Sequence, residues 1–342
     1  MGGSDLNTVA THSQNQTVTT PPAAHTGSYS GSHGVPIPGE FRPRFAKFFA
    51  RFVRGMFTRK FHVVRIVAST RNQLRALSNV DEPVIVLLNH ASWWDPLVCV
   101  LLGEREIIGR SAMAPMEADQ LRRFSFFRKL GLFGVEADNR DGLRVMREYV
   151  LERFARDTKP TLWITPQGEF TDVRTPIKLR LGAAGVAAKC PACRVVSVAI
   201  EYGFWVDQKP EVFIRAQTIA NPRVEKTQTQ TQTQTQAEAQ TQTQTQTQTQ
   251  TASMRDWHRA MTLGMQHNAQ QLAALVTARD PAAFERLVGG DSTTIHPVYD
   301  WWLRIRGKSG AIRATTRQNE HTSGRLLARP NNSQEHAQEV TP

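Results

Sequence analysis

The chain of 342 residues is 40% hydrophobic, which is sufficient for a buried core in one large domain or two small ones. It contains no apolar run of about eighteen residues and no basic stretch followed by an apolar core at the amino terminus, so we expect neither a transmembrane helix nor a secretory signal peptide. The formal net charge of +12 is concentrated in residues 41–80, which hold ten Lys or Arg and no acidic residue.

Three segments lack the apolar residues that a packed core needs. Residues 1–40 are rich in Ser, Thr, Gly, Pro and Asn, and residues 227–251 are a Thr-Gln repeat interrupted only at residues 237–239. Polar tracts of this kind cannot bury enough apolar surface to offset the entropy cost of ordering. We therefore expect a disordered arm at 1–40, a folded domain at 41–308 with a solvated insertion at 227–251, and a disordered tail at 309–342.

The folded part begins with a basic segment, residues 41–61, that has the period of an amphipathic helix. Apolar residues occupy one side of the helical wheel and basic residues the other: Phe45, Phe48, Phe49, Phe52, Val53 and Met56 against Arg44, Lys47, Arg51 and Arg54. Such helices are typical of proteins on anionic membranes, so we expect a cytoplasmic protein bound peripherally to the inner face of a membrane. The alternatives are a helix packed on its own domain and a nucleic-acid surface, which the Phe-rich face disfavours.

The rest of the domain alternates short β-branched runs with helical patterns. Strands are predicted at residues 61–68, 84–88, 107–108, 131–136, 161–165, 194–202 and 211–216. Helices are predicted at residues 96–102, 116–130, 140–157, 178–189, 254–276 and 281–288. This alternation predicts an α/β fold: a single domain with a mixed, mostly parallel sheet flanked by helices on both faces, plus the basic amphipathic helix at its amino terminus.

One of the ten histidines stands in a pattern that predicts chemistry. His90 follows the apolar run at 84–88, and Asp95 comes five residues later, directly before Pro96, as at the start of a helix. Strand, loop and helix start would bring imidazole and carboxylate together at the sheet edge where ligands bind in open α/β sheets. The pair is then a general base whose tautomer Asp95 fixes. The alternative is an aspartate that caps the helix beside an unrelated histidine.

The three cysteines, Cys99, Cys190 and Cys193, do not make a disulfide framework, and no second cysteine pair completes a zinc site. Cys190 and Cys193 have the spacing of a redox turn, but they precede a predicted strand instead of opening a helix. We interpret them as two small residues in a helix-to-strand turn. No metal and no cofactor are expected.

Four short motifs follow one another between residues 84 and 216. They are Asn89-His90-x4-Asp95, then Gly131-Leu-Phe-Gly-Val-Glu136 followed by Asn139-Arg140, then Pro166-Gln167-Gly168-Glu169, and finally Val196-Ser197-Val198. In this order they resemble the motifs of the lysophospholipid acyltransferase superfamily, the 1-acylglycerol-3-phosphate O-acyltransferase-like enzymes that acylate glycerolipid hydroxyls. The resemblance implies that His90 and Asp95 are catalytic, that the second motif binds the acceptor, and that the third is the family's Pro-Glu-Gly turn.

Two departures from the family pattern bear on the acceptor. Ala137 stands where the family usually has an arginine, and Glu169-Phe170 stands where it usually has Thr-Arg, whose arginine holds a glycerol phosphate. A carboxylate disfavours a bound phosphate unless a cation intervenes, and otherwise the acceptor would be a neutral glycolipid hydroxyl. The cations that could compensate are Arg140 or Arg144 for the second motif, and Arg174 and Lys178 for the third.

The resemblance implies an enzyme that transfers a fatty acyl group from acyl-CoA or acyl carrier protein to a lipid hydroxyl, most simply a lysophospholipid such as 1-acylglycerol-3-phosphate, in phospholipid biosynthesis. Backbone N–H groups near Gly168 or at the helix start after Asp95 are candidates for stabilising the oxyanion. Gln167 and Gly168 either contact the substrate or only close their turn. The alternatives are a neutral glycolipid or carotenoid glycoside as acceptor, and a non-catalytic peripheral membrane adaptor.

Overall fold

The computed structural model describes residues 36–136, 140–205, 207–222, 251–290 and 305–306. Its central element is one mixed sheet of eight strands. The strands are β1 (Val63–Val67), β2 (Val84–Leu88), β3 (Ser111–Glu117), β4 (Leu132–Val135), β5 (Pro160–Ile164), β6 (Arg194–Gly203), β7 (Glu211–Ile219) and β8 (Phe284–Gly289). The predicted α/β fold with a mixed, mostly parallel sheet is confirmed.

The sheet has the strand order β4-β3-β5-β2-β6-β7-β1-β8. The strands from β4 to β6 are parallel, β6 and β7 are antiparallel, β7 and β1 are parallel, and β1 and β8 are antiparallel. Strand β2 lies in the parallel half with all five residues buried, as its unbroken apolar sequence predicts. Its carboxyl end therefore delivers the following loop to the sheet edge between β5 and β6.

Helices cover both faces of the sheet. They are α1 (Pro43–Lys60), α2 (Ala68–Ala76), α3 (Asp95–Arg105), α4 (Ala118–Arg123), α5 (Arg140–Arg156), α6 (Gly182–Lys189) and α7 (Met254–Ala278). Alternate residues of β2 point to opposite faces: Val84, Val86 and Leu88 pack with α1 and α3, whereas Ile85 and Leu87 pack with α5, α6 and α7. Two separate apolar cores thus hold the central strand, and with it the start of the loop that follows.

Three predicted elements are wrong. Residues 107–108 follow α3 in a turn, and the strand of this region is β3, whose mixed polar sequence becomes extended because β4 and β5 pair with it on either side. The predicted helix at 116–130 is divided into the end of β3, α4 and a 3-10 helix, Ser125–Leu130. The predicted helix at 281–288 is a 3-10 turn followed by β8, which pairs with β1. Cys190 and Cys193 lie in the turn between α6 and β6, as predicted.

Residues 36–40 belong to the predicted arm, but they are ordered against the sheet. Ile37 forms an antiparallel bridge with Gly134 in β4. The N–H of Gly39 donates to the hydroxyl of Tyr149 in α5 at 3.0 Å. The folded chain has therefore begun by residue 36. The predictions for residues 1–35, for the Thr-Gln repeat up to residue 250 and for residues 307–342 lie outside the described residues.

Helix α1 packs on its own domain through only part of its apolar side. Ala50, Val53 and Phe57 are buried, and the latter two join the core shared with α3. Phe48 and Phe52 lie outside this contact and remain 67% and 53% exposed. Packing on the domain therefore explains the buried stripe but not the two exposed rings. Among the described helices, none has the length and apolarity that crossing a bilayer requires.

Candidate active site

The loop that follows β2 is anchored by the side chain of Asn89. Its Nδ2 donates to the carbonyl oxygen of Ile200 at 2.9 Å, and its Oδ1 accepts from the N–H of Ile200 at 2.8 Å. Backbone pairing between β2 and β6 ends at Leu88, so the Asn89 amide continues the ladder by one more residue. Because Asn89 is buried, these two bonds fix the point at which the loop leaves the sheet.

His90 and Asp95 are in direct contact within this loop. His90 Nδ1 lies 3.0 Å from Asp95 Oδ2, and the same oxygen accepts from the N–H groups of Ala91 and Ser92 at 2.8 and 2.9 Å. Asp95 is fully buried, whereas the His90 side chain is 17% exposed. The carboxylate thus favours a proton on Nδ1 and leaves Nε2 as the ring atom that can accept one.

Asp95 is the first residue of α3, but its side chain does not cap the helix. It turns back to the N–H groups of the preceding loop, and the cap position belongs to Trp94. The alternative interpretation, an aspartate that caps a helix beside an unrelated histidine, therefore does not fit the structure.

Tyr202, at the carboxyl end of β6, completes the surroundings of Asp95. Its hydroxyl donates to Asp95 Oδ1 at 2.6 Å, and its ring packs on Phe61 with centroids 6.0 Å apart. Burial raises the pKa of the Tyr202 phenol, and the neighbouring Asp95 carboxylate raises it further, so the hydroxyl remains a donor. The sequence analysis missed this residue, because the two partners are 107 positions apart and no local pattern connects them.

Gln167 joins the Pro166–Glu169 turn to the catalytic loop. Its Oε1 accepts from the N–H of His90 at 2.9 Å, and its Nε2 donates to the Thr171 hydroxyl. The N–H of Thr171 in turn donates to the carbonyl oxygen of His90 at 2.8 Å. Since both ends of its amide are engaged, Gln167 acts on the loop that carries His90 and closes the turn. A contact between Gln167 and the substrate stays a prediction, since the amide keeps one further N–H and one further lone pair.

Gly168 has a left-handed backbone and a close neighbour. Its φ is +75°, and a Cβ at this position would collide with the guanidinium of Arg180. The N–H of Arg180 also donates to the carbonyl oxygen of Pro166 at 2.7 Å. A cation that the sequence analysis did not single out therefore lies against the Pro-x-Gly turn.

The other predicted substrate-binding residues either are exposed or have side chains outside the described part of the chain. Glu169 and Lys178 are exposed, and Arg174 is an exposed residue that pairs with Asp172 at 3.4 Å. Arg140 begins α5, but its side chain lies outside the described residues. Of the predicted cations, neither Arg174 nor Lys178 packs on Gly168 as Arg180 does.

Several of the predicted oxyanion donors are already engaged. The N–H of Gly168 donates to the carbonyl oxygen of Thr165 at 3.1 Å, and the first N–H groups after Asp95, those of Leu97 and Val98, donate to the carbonyl oxygen of Trp94 at 3.0 Å. The next two N–H groups of the turn, those of Glu169 and Phe170, have no acceptor within the described part of the chain. The Phe170 ring lies 4.1 Å from the His90 ring, centroid to centroid, so the residue that carries the second of these N–H groups packs its side chain on the imidazole.

The comparison with protein families covers most of this site. Residues 65–201 match a family model described as Acyltransferase, and the matched part contains the loop with His90 and Asp95 as well as the Pro166–Glu169 turn. This part of the chain is an acyltransferase domain. The comparison with curated proteins found no match.

The acyltransferase domain is extended by elements outside the matched residues. Helix α1 precedes the match, while β7, α7 and β8 follow it. Tyr202 lies one position beyond its end. Strands β7 and β8 of the sheet therefore lie in segments that the family match does not include. The same is true of the tyrosine hydroxyl that donates to Asp95.

Proposed function

We propose that this protein is an O-acyltransferase that moves a fatty acyl group from acyl-CoA or acyl carrier protein to a lipid hydroxyl, with His90 as general base. The observation that carries the proposal is the 3.0 Å contact between His90 Nδ1 and the buried carboxylate of Asp95, within a domain of the acyltransferase family. A histidine held in this way presents Nε2 in the right tautomer to remove a proton.

In the proposed reaction, Nε2 of His90 takes the proton of the acceptor hydroxyl while the hydroxyl oxygen attacks the thioester carbonyl carbon. The tetrahedral intermediate then breaks its C–S bond, and the imidazolium returns the proton to the departing thiolate. Binding donor and acceptor side by side supplies the proximity, so no covalent acyl-enzyme is required. The N–H groups of Glu169 and Phe170 are the donors that we assign to the developing oxyanion.

The acceptor that we favour is a lysophospholipid such as 1-acylglycerol-3-phosphate. Arg180 supports this choice, because its guanidinium lies against the turn that carries Glu169. A guanidinium binds phosphate through paired hydrogen bonds and offsets the repulsion from a nearby carboxylate. The second candidate is a neutral glycolipid or carotenoid glycoside, and the exposed Glu169 together with the pairing of Arg174 to Asp172 favours it.

Release of free thiol tests the proposal. Purified protein is mixed with acyl-CoA or acyl carrier protein and with vesicles that contain either 1-acylglycerol-3-phosphate or a neutral glycolipid. We expect thiol release that depends on the acceptor, and mass spectrometry should show the acceptor gaining one acyl chain. The acceptor that reacts decides between the two candidates. If no donor releases thiol with any acceptor, the proposal is wrong and a non-catalytic membrane adaptor becomes the better interpretation.

We further propose that the enzyme binds an anionic membrane through a docking surface of exposed phenylalanines. These are Phe48 and Phe52 of α1, together with Phe124 and Phe126 beyond α4. The two segments touch, since the Phe49 and Phe126 rings have centroids 6.2 Å apart. The same two segments carry exposed basic residues: Arg44, Lys47, Arg51, Arg122 and Arg123. Aromatic rings among cations suit an interface with acidic lipid headgroups.

Replacing both exposed rings of α1, in Phe48→Ser/Phe52→Ser, is expected to weaken binding to anionic vesicles by at least about tenfold, because each ring loses a favourable transfer into the interface. Flotation with vesicles containing acidic phospholipid measures the effect. Leu263→Ser is the matched control, since Leu263 in α7 is 60% exposed but is not part of the docking surface. Equal binding by the double variant and the control would contradict the proposal.

A further inference from the structure

The Asp95 carboxylate divides its hydrogen bonds unequally between its two oxygens. Oδ2 receives His90 Nδ1 and the N–H groups of Ala91 and Ser92, all from its own loop. Oδ1 receives the hydroxyl of Tyr202 from β6, which lies on the other side of the carboxylate. Asp95 is fully buried, so the loss of one of these donors would leave a carboxylate oxygen unsatisfied, which costs free energy.

Tyr202 is itself held in place. Its ring contacts Phe61, and Phe61 contacts Trp94 edge to face with centroids 4.9 Å apart. Trp94 directly precedes Asp95 in the chain, so the ring that orients the tyrosine also packs on the start of α3. Packing of the Tyr202 ring in the core therefore directs its hydroxyl toward Oδ1.

We propose that Tyr202 is a positioning residue for the catalytic pair: its hydroxyl holds Oδ1 of Asp95, which keeps Oδ2 directed at His90 and limits the negative charge that the imidazole experiences. This inference rests on the proposed role of His90 as general base. A carboxylate that shares its charge with a phenol stabilises an imidazolium less than an unshared one does. Removing the tyrosine hydroxyl should therefore change the pH dependence of acyl transfer as well as its rate.

The other titratable groups around the pair lie on α3 and at the Pro-x-Gly turn. Cys99 lies one turn further along α3, and burial followed by the charge of Asp95 raises the pKa of its thiol, so it stays neutral. Glu169 and Arg180 belong to the Pro-x-Gly turn and its packing partner, and both are exposed. Removing the Tyr202 hydroxyl thus takes one hydrogen bond from Asp95 and one from the Ser92 side chain.

Tyr202→Phe tests the inference, because it removes the hydroxyl and keeps the ring. We expect kcat/KM for acyl transfer to fall about tenfold, as for the loss of a hydrogen bond to a charged group. We also expect the acid limb of the pH profile to move to higher pH by about half a unit. Tyr149→Phe is the matched control: it removes a phenol that accepts from Gly39 and Arg153 on the far side of the sheet, and should leave the profile unchanged.

Each outcome has one meaning. A pH profile of Tyr202→Phe that superimposes on that of the wild type overturns the inference, even if activity falls, because a purely structural role would lower the rate at every pH. If His90→Ala is as active as the wild type, the proposed general base is wrong and the reaction itself must be reassigned. Should Tyr202→Phe fail to fold, 3-fluorotyrosine at position 202 replaces it. The more acidic phenol is a stronger donor and should move the acid limb to lower pH, and no movement would overturn the inference.

Discussion

His90→Ala should lower acyl transfer by about 10²–10⁴-fold, the range for removal of a positioned general base. The hydroxyl proton would then have to leave for water, while the fold should be unaffected, because the backbone bonds of His90 to Gln167 and Thr171 remain. Initial rates of thiol release with saturating donor and acceptor measure the effect. Thermal unfolding of the variant should show a transition close to that of the wild type.

A second histidine–aspartate pair provides the matched control. His62 Nδ1 lies 3.3 Å from Asp207 Oδ2, and both side chains are largely buried. His62→Ala therefore removes a comparable pair outside the Asn89–Asp95 loop and should retain near wild-type turnover. Full activity in His90→Ala, or equal losses in the two variants, would show that the pair at the end of β2 is not the catalytic base.

Gly131→Ala should reduce the free energy of unfolding by about 3–5 kcal/mol, through backbone strain together with overpacking. Gly131 ends the Ser125–Leu130 turn with a φ of +92°, and a Cβ there would collide with the carbonyl oxygen of Ala112 in β3. Backbone atoms of a paired strand cannot move aside as the end of a flexible side chain can. Urea unfolding followed by tryptophan fluorescence measures the loss.

Gly109→Ala separates the two causes of this loss. Gly109 has a φ of +79°, but nothing lies within 4 Å of the position where its Cβ would be. This control should therefore cost only the strain of a left-handed alanine, about 1–2 kcal/mol. If Gly131→Ala proves no more costly than Gly109→Ala, the close approach of β3 to the turn is not important for stability.

The catalytic loop could be predicted because its determinants are local. The apolar run of β2 indicates a buried strand, and the five-residue spacing brings His90 back to Asp95 within a single turn. The hydrogen-bond partners of the Asp95 side chain could not be predicted in the same way. Its position before Pro96 indicated a helix cap, whereas the loop N–H groups and Tyr202 take its oxygens instead.

The remainder of the site depends on contacts between distant segments. Arg180 reaches the turn at Gly168, and Gln167 reaches the backbone of His90, 77 positions earlier. Residue type and spacing carry no information about such contacts, so the sequence singled out Arg174 and Lys178 and missed Arg180.

The difference between local determinants and contacts with distant segments also explains the errors in the predicted fold. Strand β3 has the sequence SAMAPME, which lacks both alternation and a β-branched run, and its extended form comes from pairing with β4 and β5. Strand β8 has a spacing of apolar residues that is compatible with a helix, yet β1 offers it an unpaired edge. In both strands the partner overrides the local preference.

Strand β1 lies between β7 and β8. The residues that pair with it follow it in sequence by about 150 positions in β7 and about 220 positions in β8, so both pairings join distant parts of the described chain. During synthesis, β1 leaves the ribosome long before either neighbour exists. The apolar side of α1 is then only partly buried until later residues are made, because the core that contains Phe57 includes residues of β7 and β8. Assembly of the sheet is therefore a late event, completed only when the residues after α7 have emerged from the exit tunnel.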